Sequence, residues 1–171
     1  LAGSLVALAY RQEFGMKVTV VRSVNIYGPQ DHNLTRIIPK AIFSFVRDIP
    51  FTLYIPSGKR GYIYIDDLIN ALFTIEGHDE ADVVNVCSQD VLTSEEVVEK
   101  IIYTMKELNI PSIHGQPKFE VIKKPAPYPE IGKQSLACDR LKSMGWNQKI
   151  RFEEGIKLTI SSMYERYMCG G

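Results

Sequence analysis

The chain has 171 residues, 20 basic and 20 acidic side chains for a formal net charge of +0, and 45% hydrophobic residues. That balance supplies neither the basic face of a nucleic-acid binder nor the polybasic patch of a membrane-surface protein, so neither nucleic acid nor membrane is an expected partner. No apolar run approaches the ~20 residues that span a bilayer, and no charged start followed by an apolar core marks a secretory signal.

The chain opens without a methionine on Leu1-Ala2-Gly3-Ser4-Leu5-Val6, a helix already under way with no cap before it, as expected of a fragment. The helix is predicted to run to Phe14, with Gly15 just past its end. Val18–Val21 is β-branched and predicts a strand buried in a parallel sheet. Arg22–Pro29 reads as a strand end turning into a loop. Leu34–Val46 predicts a helix that Pro39 kinks or divides. Phe51–Ile55 alternates as a strand does, and Pro56-Ser57-Gly58 turns the chain.

Tyr62–Ile65 predicts a half-buried strand, its two tyrosines alternating with two isoleucines. Asp66 and Asp67 stand where they would cap a helix reaching Glu76; adjacent residues diverge in direction, which disfavours a catalytic carboxylate pair. Val83–Cys87 is a further buried-strand run. Thr93 and Glu96 have capping-box spacing ahead of a helix that presents Val97, Ile101, Met105 and Leu108 on one face. Phe119–Ile122 alternates as a half-exposed strand, and 123–132 is the least regular stretch, with Pro125, Pro127 and Pro129. A short helix over Cys138–Met144 ends at Gly145, and Phe152–Met168 is a final amphipathic helix. Strands and helices intermixed in this way argue for α/β. Cys87, Cys138 and Cys169 are odd in number and widely spaced, which predicts reduced thiols in a cytoplasmic protein. His32, His78 and His114 have no metal-ligand spacing, and no metal is expected.

Several segments in order carry a resemblance. They are Leu1-Ala2-Gly3-Ser4, Val20-Val21-Arg22, Asn25-Ile26-Tyr27-Gly28-Pro29, Arg36-Ile37-Ile38-Pro39, Arg60 to Asp67, Val84-Asn85-Val86 and Leu141 to Trp146. Together they resemble the C-terminal half of NAD(P)-dependent epimerases/dehydratases, the extended short-chain dehydrogenases/reductases that act on nucleotide sugars. Asn33–Pro39 with Glu130 and Gln134 is most similar to CDP-glucose and dTDP-glucose 4,6-dehydratases. Two features depart from the family pattern: Gly61 stands where Asp is usual, and the Pro-rich stretch lacks paired arginines.

The resemblance implies the C-terminal part of a Rossmann-type parallel sheet plus a small α/β substrate-binding lobe. Residues 1–32 and 66–92 would form the sheet end, and 33–65 and 93–171 the lobe. It implies NAD or NADP in the complete enzyme, taking hydride from the sugar and returning it. Its other implied partners are a nucleotide-diphosphate sugar and an N-terminal half, with a homodimer compatible. That chemistry needs a Gly-rich phosphate loop and a Tyr-x-x-x-Lys pair, and these 171 residues contain neither, so no cofactor is expected on the chain alone and no residue is assigned as catalytic.

By the same resemblance, Asn25, Arg36, Arg60 and Asn85 contact the substrate, and Ile26, Tyr27 and Gly28 lie beside the nicotinamide. Asn25 sits at a strand's carboxyl end, where open α/β sheets place ligands; the alternative is an Asn that holds the turn. Arg60 suits a diphosphate because a guanidinium bonds two phosphate oxygens at once. For Arg36 the alternative is a solvated helix face, for Asn85 a core amide, and for Tyr27 a packed aromatic. A non-catalytic nucleotide-binding or interaction module, and an ordinary 4-epimerase or reductase, are the competing functions.

Overall fold

A computed structural model describes residues 2–55, 57–78, 82–129 and 131–169. Leu1, Pro56 and Glu130, used above, lie outside the described residues, as does the side chain of Cys169.

Helix α1 (Ala2–Phe14) is followed by Gly15 at φ 63°, the left-handed backbone that ends helices. Strand β1 (Val20–Ser23) is followed, after Val24 alone, by β2 (Asn25–Tyr27). Helix α2 (Ile37–Val46) begins three residues later than the pattern suggested, which corrects the expected kink. Pro39 falls in the first turn, where its missing N–H breaks no intrahelical bond, and the helix runs on unbroken. Next come β3 (Phe51–Ile55), β4 (Lys59–Tyr64), α3 (Ile65–Glu76), β5 (Val83–Val86) and β6 (Val91–Leu92). Helix α4 (Ser94–Glu107) starts with the expected capping box: Thr93 Oγ1 accepts from Glu96 N at 3.1 Å, and Glu96 Oε2 accepts from Thr93 N at 2.7 Å. The chain closes with β7 (Val121–Pro125), β8 (Lys133–Gln134), α5 (Asp139–Ser143) and α6 (Phe152–Cys169).

β1 pairs parallel with β5, Val20 opposite Val83. β2 pairs parallel with β4, which also holds β6 antiparallel and β8 parallel. β3 pairs parallel with β7. The strand predicted at Phe119–Ile122 is displaced to Val121–Pro125, into the Pro-rich stretch. Phe119 takes φ 48°, and its ring packs edge-on against Phe45 at 5.3 Å between centroids. Pro125 ends the strand, where a missing donor is tolerated.

Strand β4 explains the layering. It is buried on both faces, not one: Tyr62, Ile63 and Tyr64 are all inside. Tyr62 and Tyr64 join a core formed with α2, α4 and α6, whose Phe152, Ile156, Ile160 and Met163 form a stripe at helical spacing. Ile63 points into a second core with Leu68 and Ala71 of α3, Val84 of β5, Leu141 and Trp146.

Asp67 is not a cap. Tyr64 holds the N-cap position of α3 without a side-chain bond, while the fully buried Asp67 carboxylate accepts from the backbone N–H groups of Lys149 (3.0 Å) and Ile150 (2.8 Å). Buried Asp90 works beside it, accepting from Gln148 Nε2 (2.9 Å), Arg151 Nε (2.9 Å) and Phe152 N (3.1 Å). Two acids therefore fix the entry of α6. The cysteine expectation is also corrected: Cys87 and Cys138, 51 residues apart, form a disulfide with Cα atoms 5.5 Å apart. The end of β5 meets the N-cap of α5, a proximity that sequence spacing does not reveal.

Candidate functional site

The site begins with a change of partner. Val24 N–H still bonds Val86 O at 3.2 Å beside the first sheet, while Asn25 is already in register with Tyr62 of the second. Where a chain leaves one sheet for another at its carboxyl end, a crevice opens, and α/β folds use such crevices for ligands. Here two clefts flank the joint and share Val24 and Asn25. The larger, of 320 Å³, is bounded by Tyr27, Asp31, Arg36 and the first turn of α2. The smaller, of 170 Å³, is bounded by Arg22, Arg60, Gly61 and Gln134.

Charge around the clefts is mainly positive, with Arg22 and Arg60 on the smaller and Arg36 with Asp31 on the larger. Arg36 occupies the N-cap position of α2, so the positive end of the helix dipole faces the same space. Its Nη1 donates to Asp31 Oδ2 at 3.2 Å. The loop carrying both is held by side-chain turns: Asn33 N donates to Asp31 Oδ1 (3.1 Å) and Thr35 N to Asn33 Oδ1 (3.0 Å). Arg60 stands opposite Gln134 in the β4–β8 register, and its Nη1 donates to Ile131 O at 2.8 Å and Lys59 O at 3.1 Å.

The structure thus gathers Asn25, Arg36 and Arg60. Asn85 is set one step back: it faces Arg22 across β1–β5, and its Nδ2 donates to Ala137 O at 3.1 Å, bracing the segment that carries the Gln134–Leu136 wall. Its Oδ1 is buried with no hydrogen-bond partner. Ile26 and Tyr27 border the larger cleft. The Tyr27 hydroxyl turns inward, 3.5 Å from Phe152 O, and its ring packs against Tyr64 and Phe152. Burial, with the Asp90 carboxylate nearby, pushes the phenol well above its ordinary range, so it stays protonated. Gly28 packs against α3; a Cβ there would come 2.6 Å from Ile65 Cγ2.

Sequence reasoning passed over Arg22, Asp31 and Val24. For Arg22 the available signal was its place at the end of a buried strand, two residues before the joint. Asp31 and Val24 gave none, because one acts through a loop fold and the other through a contact with the next sheet.

The sequence profile of the NAD dependent epimerase/dehydratase family matches residues 1–87. The dTDP-D-glucose 4,6-dehydratase of Mus musculus is 25% identical over 158 residues, covering 89% of this chain and 42% of that protein. The UDP-N-acetyl-alpha-D-glucosaminuronate decarboxylase of Bacillus cytotoxicus is 29% identical over 154 residues, covering 85% and 46%. The solved structure of UDP-glucose 4-epimerase from Thermotoga maritima with UDP-glucose matches with a TM-score of 0.82 at 21% identity, covering 96% of this chain and 51% of that one. The chain spans about half the length of the curated relatives it matches. Its mixed α/β fold with parallel pairing is that of Rossmann-like enzymes, and the chain belongs to the NAD dependent epimerase/dehydratase family.

Proposed function

We propose that this chain is the nucleotide-sugar-binding half of an NAD(P)-dependent sugar-nucleotide 4,6-dehydratase or epimerase that works with an N-terminal cofactor half. The observation that carries this reading is the two-part cleft at the Val24 joint, with three arginines and a helix N-terminus around it. A diphosphate needs fixed positive charge and bidentate donors, and guanidinium groups supply both. Arg60, with Arg22 beside it on the smaller cleft, holds the diphosphate, Arg36 on the larger cleft meets the group beyond it, and Asn25 orients the ligand at the joint. Asn85 supports the wall from behind, through its bond to Ala137 O.

The nicotinamide cofactor, when bound, supplies hydride acceptance and return. On this chain only Ile26, Tyr27 and Gly28 would border it, through their backbone, since the Tyr27 hydroxyl faces the core. The sheet end is assigned to residues 1–32 and 66–92, and the lobe to 33–65 and 93–171. No helix among the described residues is long and apolar enough to cross a membrane.

Calorimetry with UDP-, dTDP- and CDP-glucose tests the reading. Arg60→Ala removes charge-assisted bonds of ~1.5–3 kcal/mol, so sugar-nucleotide binding should weaken roughly ten- to a hundredfold. Unchanged affinity in a folded variant would reduce Arg60 to a solvated surface residue. Micromolar NAD binding by residues 1–171 alone would remove the need for a cofactor half. Sugar-nucleotide binding without turnover when that half is present would favour a non-catalytic module.

A further inference from the structure

Gly61 and Val24 are fitted to each other. A Cβ built on Gly61 would stand 2.7 Å from Val24 Cγ1 and 3.0 Å from Val24 Cβ. Real Cβ atoms do not approach so closely, so with any larger residue at 61 either Val24 or strand β4 must move. The constraint on Gly61 is therefore space and not backbone conformation: it is a strand residue between Val24 on one side and Val91, its register partner in β6, on the other. An Asp at this position, as in the family pattern, would collide with the valine.

Val24 also has a singular place in the site. It borders both clefts at the joint between the sheets and so is part of the wall where they meet, its side chain packed against Gly61 and the second core. Asn25, next in the chain, is the other shared residue. A ligand whose diphosphate lies against Arg22 and Arg60 and whose next group reaches toward Arg36 must pass this wall.

Resting on the nucleotide-sugar reading of the cleft, we propose that Val24 is a specificity-determining residue that selects hexoses without a bulky ring substituent, and that residue 61 is glycine to seat it. Valine's isopropyl group is close in size to an acetyl group. Removing it would open about the room that an N-acetylated sugar needs beyond its plain counterpart. A clash of this kind discriminates against the wrong ligand without adding affinity for the right one.

The test uses purified protein containing this chain, with UDP and CDP and their glucose and N-acetylglucosamine conjugates as probes, thermal melting serving as the fold control. The parent should prefer a glucose conjugate roughly tenfold or more over its N-acetylglucosamine counterpart, the scale on which apolar packing discriminates. Val24→Gly should bring that ratio near one by improving binding of the acetylated sugar, and Val24→Ala should fall between. Gly61→Ala should lower both melting temperature and sugar-nucleotide affinity, and Val24→Gly in the same chain should restore them. A ratio that does not move in folded Val24→Gly and Val24→Ala variants overturns the proposal, as does a parent that binds both sugars equally. Failure of UDP and CDP themselves to bind the folded parent overturns the reading of the site, and the inference with it.

Discussion

Helices α6 and α1 are both rich in apolar residues, yet they end in opposite circumstances. Along α6, Phe152, Ile156, Ile160 and Met163 are buried against α2, α4 and the tyrosines of β4. Along α1 nothing is buried: Leu5, Val6 and Tyr10 are more than half exposed, and Phe14 is 70% exposed. A helix apolar around much of its circumference belongs inside a structure. The strand after α1 tells the same story, because β1 is hydrogen-bonded to β5 on one edge and to no other strand among the described residues. The core around α6 is thus covered by α2, α4 and β4, while the α1–β1 side has the composition of an interior without the covering of one. Under the proposed function, the cofactor half supplies that covering.

The comparison breaks or holds first on core deletion. Phe152 touches the rings of Tyr27 and Tyr62, at centroid distances of 5.1 and 5.8 Å, and is fully buried. Phe152→Ala should cost about 3–5 kcal/mol, whereas Phe14→Ala should stay within ~0.5 kcal/mol in residues 1–171 alone. Urea unfolding of the two variants reads the contrast, and equal losses would mean that α1 is packed after all. In the presence of a cofactor half, the Phe14→Ala loss should grow toward that of Phe152→Ala.

A middle-sized effect probes the second core, between the two regions. Cys87→Ser with Cys138→Ser removes a cross-link spanning 51 residues, and should cost about 2–4 kcal/mol. Peptide mapping without reductant should show the linked peptides; free thiols at both positions would make the residues ordinary core cysteines.

The smallest effect concerns alkaline pH. Burial raises the folded-state pKa of Tyr27, and burial raises those of Tyr64 and Tyr167 as well. Above the ordinary tyrosine value of about 10, the unfolded chain loses these protons before the folded one does. Stability is therefore intact below that pH and falls as pH rises beyond it, by up to ~1.4 kcal/mol per pH unit for each such group. Tyr27→Phe should flatten this slope, leaving the part due to Tyr64 and Tyr167. An unchanged slope would place the Tyr27 hydroxyl in solvent and loosen the account of the lobe core.

Much of this molecule is written in short stretches of sequence. The Thr93–Glu96 capping box, the Gly15 helix end, the α6 stripe and the strand at Val83 each depend on neighbours within a turn or a strand length, so local pattern suffices to read them. Asn25, Arg36 and Arg60 were legible as candidates because they sit in motifs; that they border clefts sharing one wall was not. Three features were decided only by tertiary structure. Asp67 looked like a cap until its carboxylate met backbone donors 82 and 83 residues away. Cys87 found Cys138 because β5 ends at α5, and Gly61 took its meaning from the valine at the joint between β1 and β2. Sequence by itself determines what each segment can form, because propensity, capping and periodicity act over a few residues. Which buried acid, thiol or glycine meets which partner depends on where the folded segments dock, and that is set by the packing of both cores at once.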